Sequence, residues 1–239
     1  MFAIETKGLS KKFGDKTAVN QLNLQIKEGE LFSLLGVNGA GKTTTIRILS
    51  GLSKPSDGDA FVYGNSVIHK LAEVKRLINL SPQETAIAGN LSVTENLLLM
   101  AEIYGLEKEK ARAKVKEVIE EFSLEEVADT KASTLSGGWQ RRLSIAMALI
   151  TQPKVLYLDE PTLGLDVLAR RELWKIILGL KGKITIILTT HYMEESEALS
   201  DRIAIMQKGE MKALGTLEEL KSRTGKTNLE EVFVAIAEG

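Results

Sequence analysis

The chain has 239 residues, 44% hydrophobic and 26% charged, and its 31 basic and 32 acidic side chains leave a formal net charge of −1. That length buries a substantial core in one large domain or a domain with an inserted lobe, while so small a net charge excludes bulk attraction to nucleic acid or anionic lipid. There is no cysteine, which excludes disulfides and thiolate metal sites and fits a reducing compartment, and no apolar run nears the roughly 20 residues of a membrane span.

The opening MFAIETKGLSKKF is not expected to act as a secretory leader, because Glu5 and Lys7 interrupt its apolar residues. Strands are predicted over Phe2 to Leu9, Leu22 to Ile26 and Leu31 to Leu35; a glycine-rich turn follows, then a helix from Lys42 to Leu52. Another strand (Ala60 to Tyr63), a short helix and the apolar stretch Leu77 to Leu80 come next. From about Glu84 to Leu135 the pattern is almost wholly helical, with helices over Val93 to Tyr104 and Glu107 to Phe122. In the second of these Ala111, Val115, Val118, Ile119 and Phe122 recur at helical spacing, a buried stripe on an otherwise solvated helix. Its charges are read as a solvent face and given no site.

Beyond the helical stretch the strand–helix alternation returns. Val155 to Leu158 is apolar at consecutive positions, as a parallel strand buried on both faces requires. A helix over Val167 to Leu180, a second apolar run from Ile184 to Leu188 and a helix from about Met193 follow. A hairpin-like piece (Ile203 to Met206, Met211 to Leu214) and a C-terminal helix end the chain. The predicted fold is α/β: a mainly parallel sheet with right-handed crossovers, an N-terminal antiparallel portion and an inserted all-helical lobe. Residues 1–83 and 136–239 form the core of this single domain and 84–135 the lobe.

Residues 36–44 read GVNGAGKTT, that is Gly36, Val37, Asn38, Gly39, Ala40, Gly41, Lys42, Thr43 and Thr44. They contain the G-x-x-x-x-G-K-[ST] pattern, with a predicted strand before it and a helix after it, the context a P-loop requires. Gly36, Gly39 and Gly41 let the backbone turn its N–H groups inward as an anion nest at a helix start. Lys42 adds a point charge for β- and γ-phosphates, and the Thr43 hydroxyl is placed to ligate Mg²⁺.

The strand Val155 to Leu158 runs into Asp159 and Glu160. In P-loop enzymes an apolar strand ending in an acid holds the metal, which makes Asp159 the Mg²⁺-side carboxylate. Glu160, one residue on, is the candidate general base for water in line with the γ-phosphate. Standing alone, the two acids would read as a solvated pair at a strand end; the company of the cradle decides otherwise. His191 follows the Ile184 to Leu188 strand, so cradle, acids and histidine all fall at the carboxyl ends of parallel strands, where open α/β sheets bind ligands. The other histidine, His69, has no such company and is read as a surface residue. A second helix start of anion-binding type is LSGGWQRR, residues 135–142, where Ser136, Gly137 and Gly138 open an apolar helical run.

The order GVNGAGKTT, Gln83 in SPQE, LSGGWQRR, VLYLDEP, LGLD and His191 resembles the nucleotide-binding domain of ATP-binding-cassette (ABC) proteins over essentially the whole chain, and the LSGG element is its most specific part. The resemblance implies that the chain binds and hydrolyses ATP with Mg²⁺. Phe13 would stack on adenine. Gln83 would join Mg²⁺ and water to a membrane partner, and Asp166 would communicate between two sites. Two such domains would pack head to tail, as a homo- or heterodimer, so that Ser136, Gly137 and Gly138 of one chain face the γ-phosphate held by the other. Phe13 stands where tyrosine is commoner and Trp139 where a small or polar residue is usual. The stretch LTTHYMEESEALSDRIAIM and the ending LEEVFVAIAEG are similar to exporter ATPases whose transmembrane permease is a separate polypeptide, which implies a cytoplasmic subunit on the inner face of the membrane. A non-transport family member, serving translation, repair or assembly, is the alternative. A single cassette without a charged linker or a long coiled coil between Lys42 and Asp159 favours transport.

Overall fold

A computed structural model describes residues 1–238. In chain order the elements are β1 (Phe2–Phe13), β2 (Lys16–Lys27), β3 (Leu31–Leu35), α1 (Lys42–Leu49), β4 (Asp57–Val62), β5 (Asn65–Ser66), α2 (Leu71–Lys75) and β6 (Ile78–Ser81). Then come α3 (Val93–Ile103), α4 (Lys108–Glu121) and α5 (Gly137–Leu149). The last part holds β7 (Val155–Asp159), α6 (Val167–Leu180), β8 (Thr185–Thr190), α7 (Met193–Leu199), β9 (Arg202–Gln207), β10 (Glu210–Gly215), α8 (Leu217–Thr224) and α9 (Leu229–Glu238).

Strands β3, β7 and β8 are buried at every position, because both faces of their sheet are covered. The side-chain period of two sorts each strand between two cores. Val155 and Tyr157 of β7 and Ile187 of β8 point toward α1 and the antiparallel sheet. Their neighbours Leu156, Leu158, Ile186 and Leu188 face α3, α5 and α6. The order of this sheet is β10-β9-β3-β8-β7-β6, parallel from β9 through β6 and closed by the antiparallel β9–β10 hairpin. A separate antiparallel sheet runs β2-β1-β4-β5. The fold is therefore α/β with an N-terminal antiparallel portion and a mainly parallel second sheet, as the sequence predicts.

The boundaries differ in instructive ways. Strands β1 and β2 run well past Leu9 and to either side of Leu22 to Ile26, because pairing across the hairpin carries their polar ends along. Helix α1 stops at Leu49 rather than Leu52, with Gly51 at φ 70° just beyond its end. The stretch 84–135 is less helical than its composition suggests. Residues 84–92 are irregular, and beyond α4 only the 3-10 turns Glu125–Val127 and Ala132–Thr134 precede α5. Buried Asn96 substitutes for backbone pairing there: its Oδ1 accepts from the Ala88 N–H at 2.8 Å, and its Nδ2 donates to the carbonyls of Ala88, Leu91 and Ser92. The predicted C-terminal helix is two, α8 and α9, broken at Gly225 with φ 69°. His69 is exposed.

Candidate functional site

Parallel pairing brings the carboxyl ends of β3, β8 and β7 level: Leu35 pairs with Thr190 and Asp159 with Thr189. Everything that follows those ends opens on one edge. After β3 the chain makes the cradle. Gly39 and Gly41 lie at φ 82° and 105°, backbone that side chains rarely adopt. A Cβ on Gly41 would stand 2.4 Å from the Ala18 carbonyl oxygen, and one on Gly36 2.4 Å from that of Met206. Those two glycines are thus demanded by close approach as well as by turn geometry. Helix α1 begins at Gly41 with no side-chain cap and no acidic residue in its first turn, which leaves its N–H groups and positive end for an anion.

Lys42 is only 4% exposed. Its ammonium donates to the carbonyls of Gly36 at 2.7 Å and Val37 at 3.3 Å and pairs with Glu160 Oε1 at 3.1 Å. Glu160 is itself 5% exposed, and its other oxygen lies 2.7 Å from His191 Nδ1. An ionised carboxylate can only accept, so that ring nitrogen carries the proton. Glu160 sits at φ 49°, a conformation in which a non-glycine residue is held only by its surroundings. Here the holder is Thr189, whose carbonyl and hydroxyl oxygens both accept from the Glu160 N–H, at 3.1 and 3.0 Å. The same hydroxyl donates to Asp159 Oδ1 at 2.6 Å. One threonine therefore fixes both acids.

Thr43 Oγ1 lies 3.0 Å from the same Asp159 oxygen. A hydroxyl and a carboxylate converging at one point are hard oxygen donors suited to Mg²⁺, which typically takes one or two protein ligands and completes its shell with water and phosphate. No group of three acidic or histidine side chains able to hold a metal alone occurs among the described residues. The side chain of Gln83, exposed just beyond β6, lines the same cleft.

The cleft has a volume of about 420 Å³ and joins the cradle to Gln83, Glu160 and His191 on one side and to Phe13, Lys16 and Ala18 of the β1–β2 hairpin on the other. Phe13 is 56% exposed, so it is not a core aromatic, and the Lys11 ammonium stands 5.0 Å from its ring centre.

Ser136, Gly137, Gly138 and Asp166 line another surface. Ser136 starts α5 exposed, its hydroxyl making no cap. Gly138 packs so tightly on α6 that an added Cβ would lie 3.0 Å from Ala169 Cβ. Asp166 has a local task as the cap of α6, Oδ1 accepting from the N–H groups of Leu168 and Ala169, both at 2.9 Å. Trp139 is a platform: the Arg142 guanidinium stacks 4.5 Å from its ring centre and pairs with Glu172.

Two contributors escape the sequence reading. Thr189 shows only as a polar end to an apolar run, and Lys16 on the cleft wall only as one of many lysines.

A glycine-rich loop with a buried lysine, a hydroxyl converging on a carboxylate and a buried acid–histidine pair on one sheet edge are the arrangement of a P-loop fold. The chain matches the ABC transporter family over residues 19–163, more than half its length, and it belongs to that family. It is 41% identical over 233 residues to the doxorubicin resistance ATP-binding protein DrrA of Mycobacterium tuberculosis, covering 96% of this chain and 70% of that one. It is 42% identical over 226 residues to the phospholipid-transporting ATPase ABCA3 of Mus musculus, covering 93% of this chain but only 13% of that longer protein. Among solved structures, a dimeric post-hydrolysis state of an ATP-binding cassette bound to ADP and Pi superposes with a TM-score of 0.80 at 28% identity, over 90% of this chain and 98% of that one.

Proposed function

We propose that the chain is the ATP-hydrolysing subunit of an ABC exporter, working as a head-to-tail dimer on the cytoplasmic face of a membrane and driving a separate membrane-spanning polypeptide. The observation that carries this reading is the division of the site. The cradle with Glu160 and His191 is buried in one cleft, whereas the exposed start of α5 lies outside it. A second copy or a close relative turned head to tail brings its Ser136–Gly138 start over the first chain's cleft. Residues 1–83 and 136–239 then act as the nucleotide-binding core and 84–135 as the lobe.

The chemistry follows from the contacts. Phosphate oxygens of ATP compete with the carbonyls of Gly36 and Val37 for the Lys42 ammonium, and α1 supplies N–H donors. Glu160, released from Lys42, accepts the proton of a water whose oxygen attacks the γ-phosphorus, and the bond to the β–γ bridging oxygen breaks to leave ADP. His191 keeps the Glu160 carboxylate aimed through its Nδ1–H. Thr43, Asp159 and Gln83 are the residues that would hold Mg²⁺, which when bound neutralises the β- and γ-phosphate oxygens. Phe13 offers its free ring face to adenine. The export direction rests on likeness to DrrA, named for drug resistance. No described helix is long and apolar enough to cross a membrane.

Two measurements test this. The tagged chain, captured from detergent-extracted native membranes, should retain one multi-span polypeptide, and the captured complex should release phosphate from ATP only with Mg²⁺. Capture of ribosomal or DNA-repair components instead would overturn transport, and a complex that binds ATP without releasing phosphate would overturn hydrolysis.

A further inference from the structure

Arg141, in the second turn of α5, is 5% exposed, and its partners are two backbone carbonyls rather than a carboxylate. One guanidinium nitrogen donates to Pro82 O at 2.6 Å and another to Gln83 O at 2.5 Å. Farther along the same helix, Ser144 Oγ lies 2.9 Å from Ser81 Oγ, both buried. Helix α5 thus grips three consecutive residues at the end of β6, an edge strand of the parallel sheet. Beyond them the loop is tied down again at Ala88 and Leu91 by Asn96. Gln83 stands between these anchors, its carbonyl held by α5 and its side chain on the cleft.

A buried cation is a poor device for stability alone. Here burial pushes the Arg141 pKa down, and only the more distant Asp159 and Glu195 pull it back up. What the guanidinium offers is shape: a planar fork spans two successive carbonyls, which an ammonium cannot do. The helix bearing this fork is also the one whose exposed start is Ser136.

We propose that Arg141 is a positioning residue that couples the start of α5 to Gln83, so that docking of Ser136–Gly138 on the facing chain's nucleotide sets the Gln83 side chain of its own cleft. This rests on the ATPase reading above. Arg141 is not among the residues that line the cleft; it acts through the loop. Losing a partner that orients a metal-side ligand typically costs about 10- to 100-fold in activity.

A double-mutant cycle on the purified full chain with its membrane partner decides it. Arg141→Met should lower kcat about 10-fold or more, yet cost nothing further in a Gln83→Ala background, because the lost effect passes through Gln83. Arg141→Lys, which keeps the charge and reaches one carbonyl, should fall between Met and wild type, and it runs the same cycle if the Met variant does not fold. As a readout independent of turnover, both single variants and the double should lose the same Mg²⁺-dependent increment of trinitrophenyl-ATP affinity while metal-free affinity holds. Additive losses, or wild-type kcat in Arg141→Met, overturn the proposal while Gln83→Ala remains impaired. A Gln83→Ala protein with full activity overturns the role of Gln83 itself, and the coupling with it.

Discussion

The starts of α1 and α5 use one backbone device in opposite surroundings. Each opens a helix with glycines and leaves N–H groups without a side-chain cap. Around α1 the chain supplies a cation, two acids, a histidine and the walls of a cleft. Around α5 it supplies solvent. The difference is one of surroundings: the first start has a lysine, acids and a histidine of its own chain beside it, while the second is exposed. Asp166, by contrast, caps α6 with its own side chain.

Breaking the two starts separately should therefore give different failures. Lys42→Ala removes the only ammonium paired with Glu160 among the described residues and should weaken trinitrophenyl-ATP binding and cut phosphate release about 10³-fold. Ser136→Arg should leave binding by the single chain near wild type and cut phosphate release about 10²-fold, because the bulky side chain obstructs only the facing cleft. Loss of single-chain binding in Ser136→Arg would mean that the two starts share one cleft after all.

A smaller effect probes the wall behind the acids. Glu195 is fully buried; its Oε1 accepts from the Trp174 indole N–H at 3.1 Å, and Oε2 has no partner among the described residues. Burial pushes its pKa up, with Glu160 adding to the rise and hydrogen bonds opposing it. The folded state therefore holds this proton more tightly than the unfolded chain. Its contribution to stability is fully present below the ordinary carboxylate pKa and is lost as pH rises through the raised value. Glu195→Gln keeps a neutral acceptor for Trp174, so thermal unfolding should show it gaining on wild type more at pH 8 than at pH 5. A gain of about 1 kcal/mol corresponds to roughly 2–4 °C in Tm for a chain this size. An equal change at both pH values would place the ionisation elsewhere.

The sequence displays the cradle completely because every part of it is local: nine consecutive residues, a strand before and a helix after. Asp159, Glu160 and His191 are legible for a related reason, each standing next to an apolar run that ends at the sheet edge. Thr189 is not legible, since its bond to Asp159 depends on the register between two strands separated by a whole helix. Arg141 is hidden likewise, because its partners lie 58 and 59 positions away and are backbone atoms, which carry no residue signature. The irregular stretch 84–92 defeats a compositional reading because one side chain, Asn96, replaces the missing ladder. Asp166 shows the converse: its capping bonds are local, and a role across two sites is only what the family resemblance implies.

The account turns on whether two chains complete each other's clefts, and one variant tests that directly. Glu160→Gln keeps the hydrogen-bonding shape of the side chain but cannot take the water's proton, so hydrolysis should fall by roughly 10²-fold or more while Thr43 and Asp159 are untouched. Nucleotide that only the closed pair binds fully then favours the pair by mass action. In size-exclusion chromatography with light scattering, Glu160→Gln should run as a dimer in saturating MgATP and as a monomer without it, and adding Ser136→Arg should abolish the dimer. A Glu160→Gln protein that stays monomeric in saturating MgATP would contradict the claim that two chains suffice to close the site.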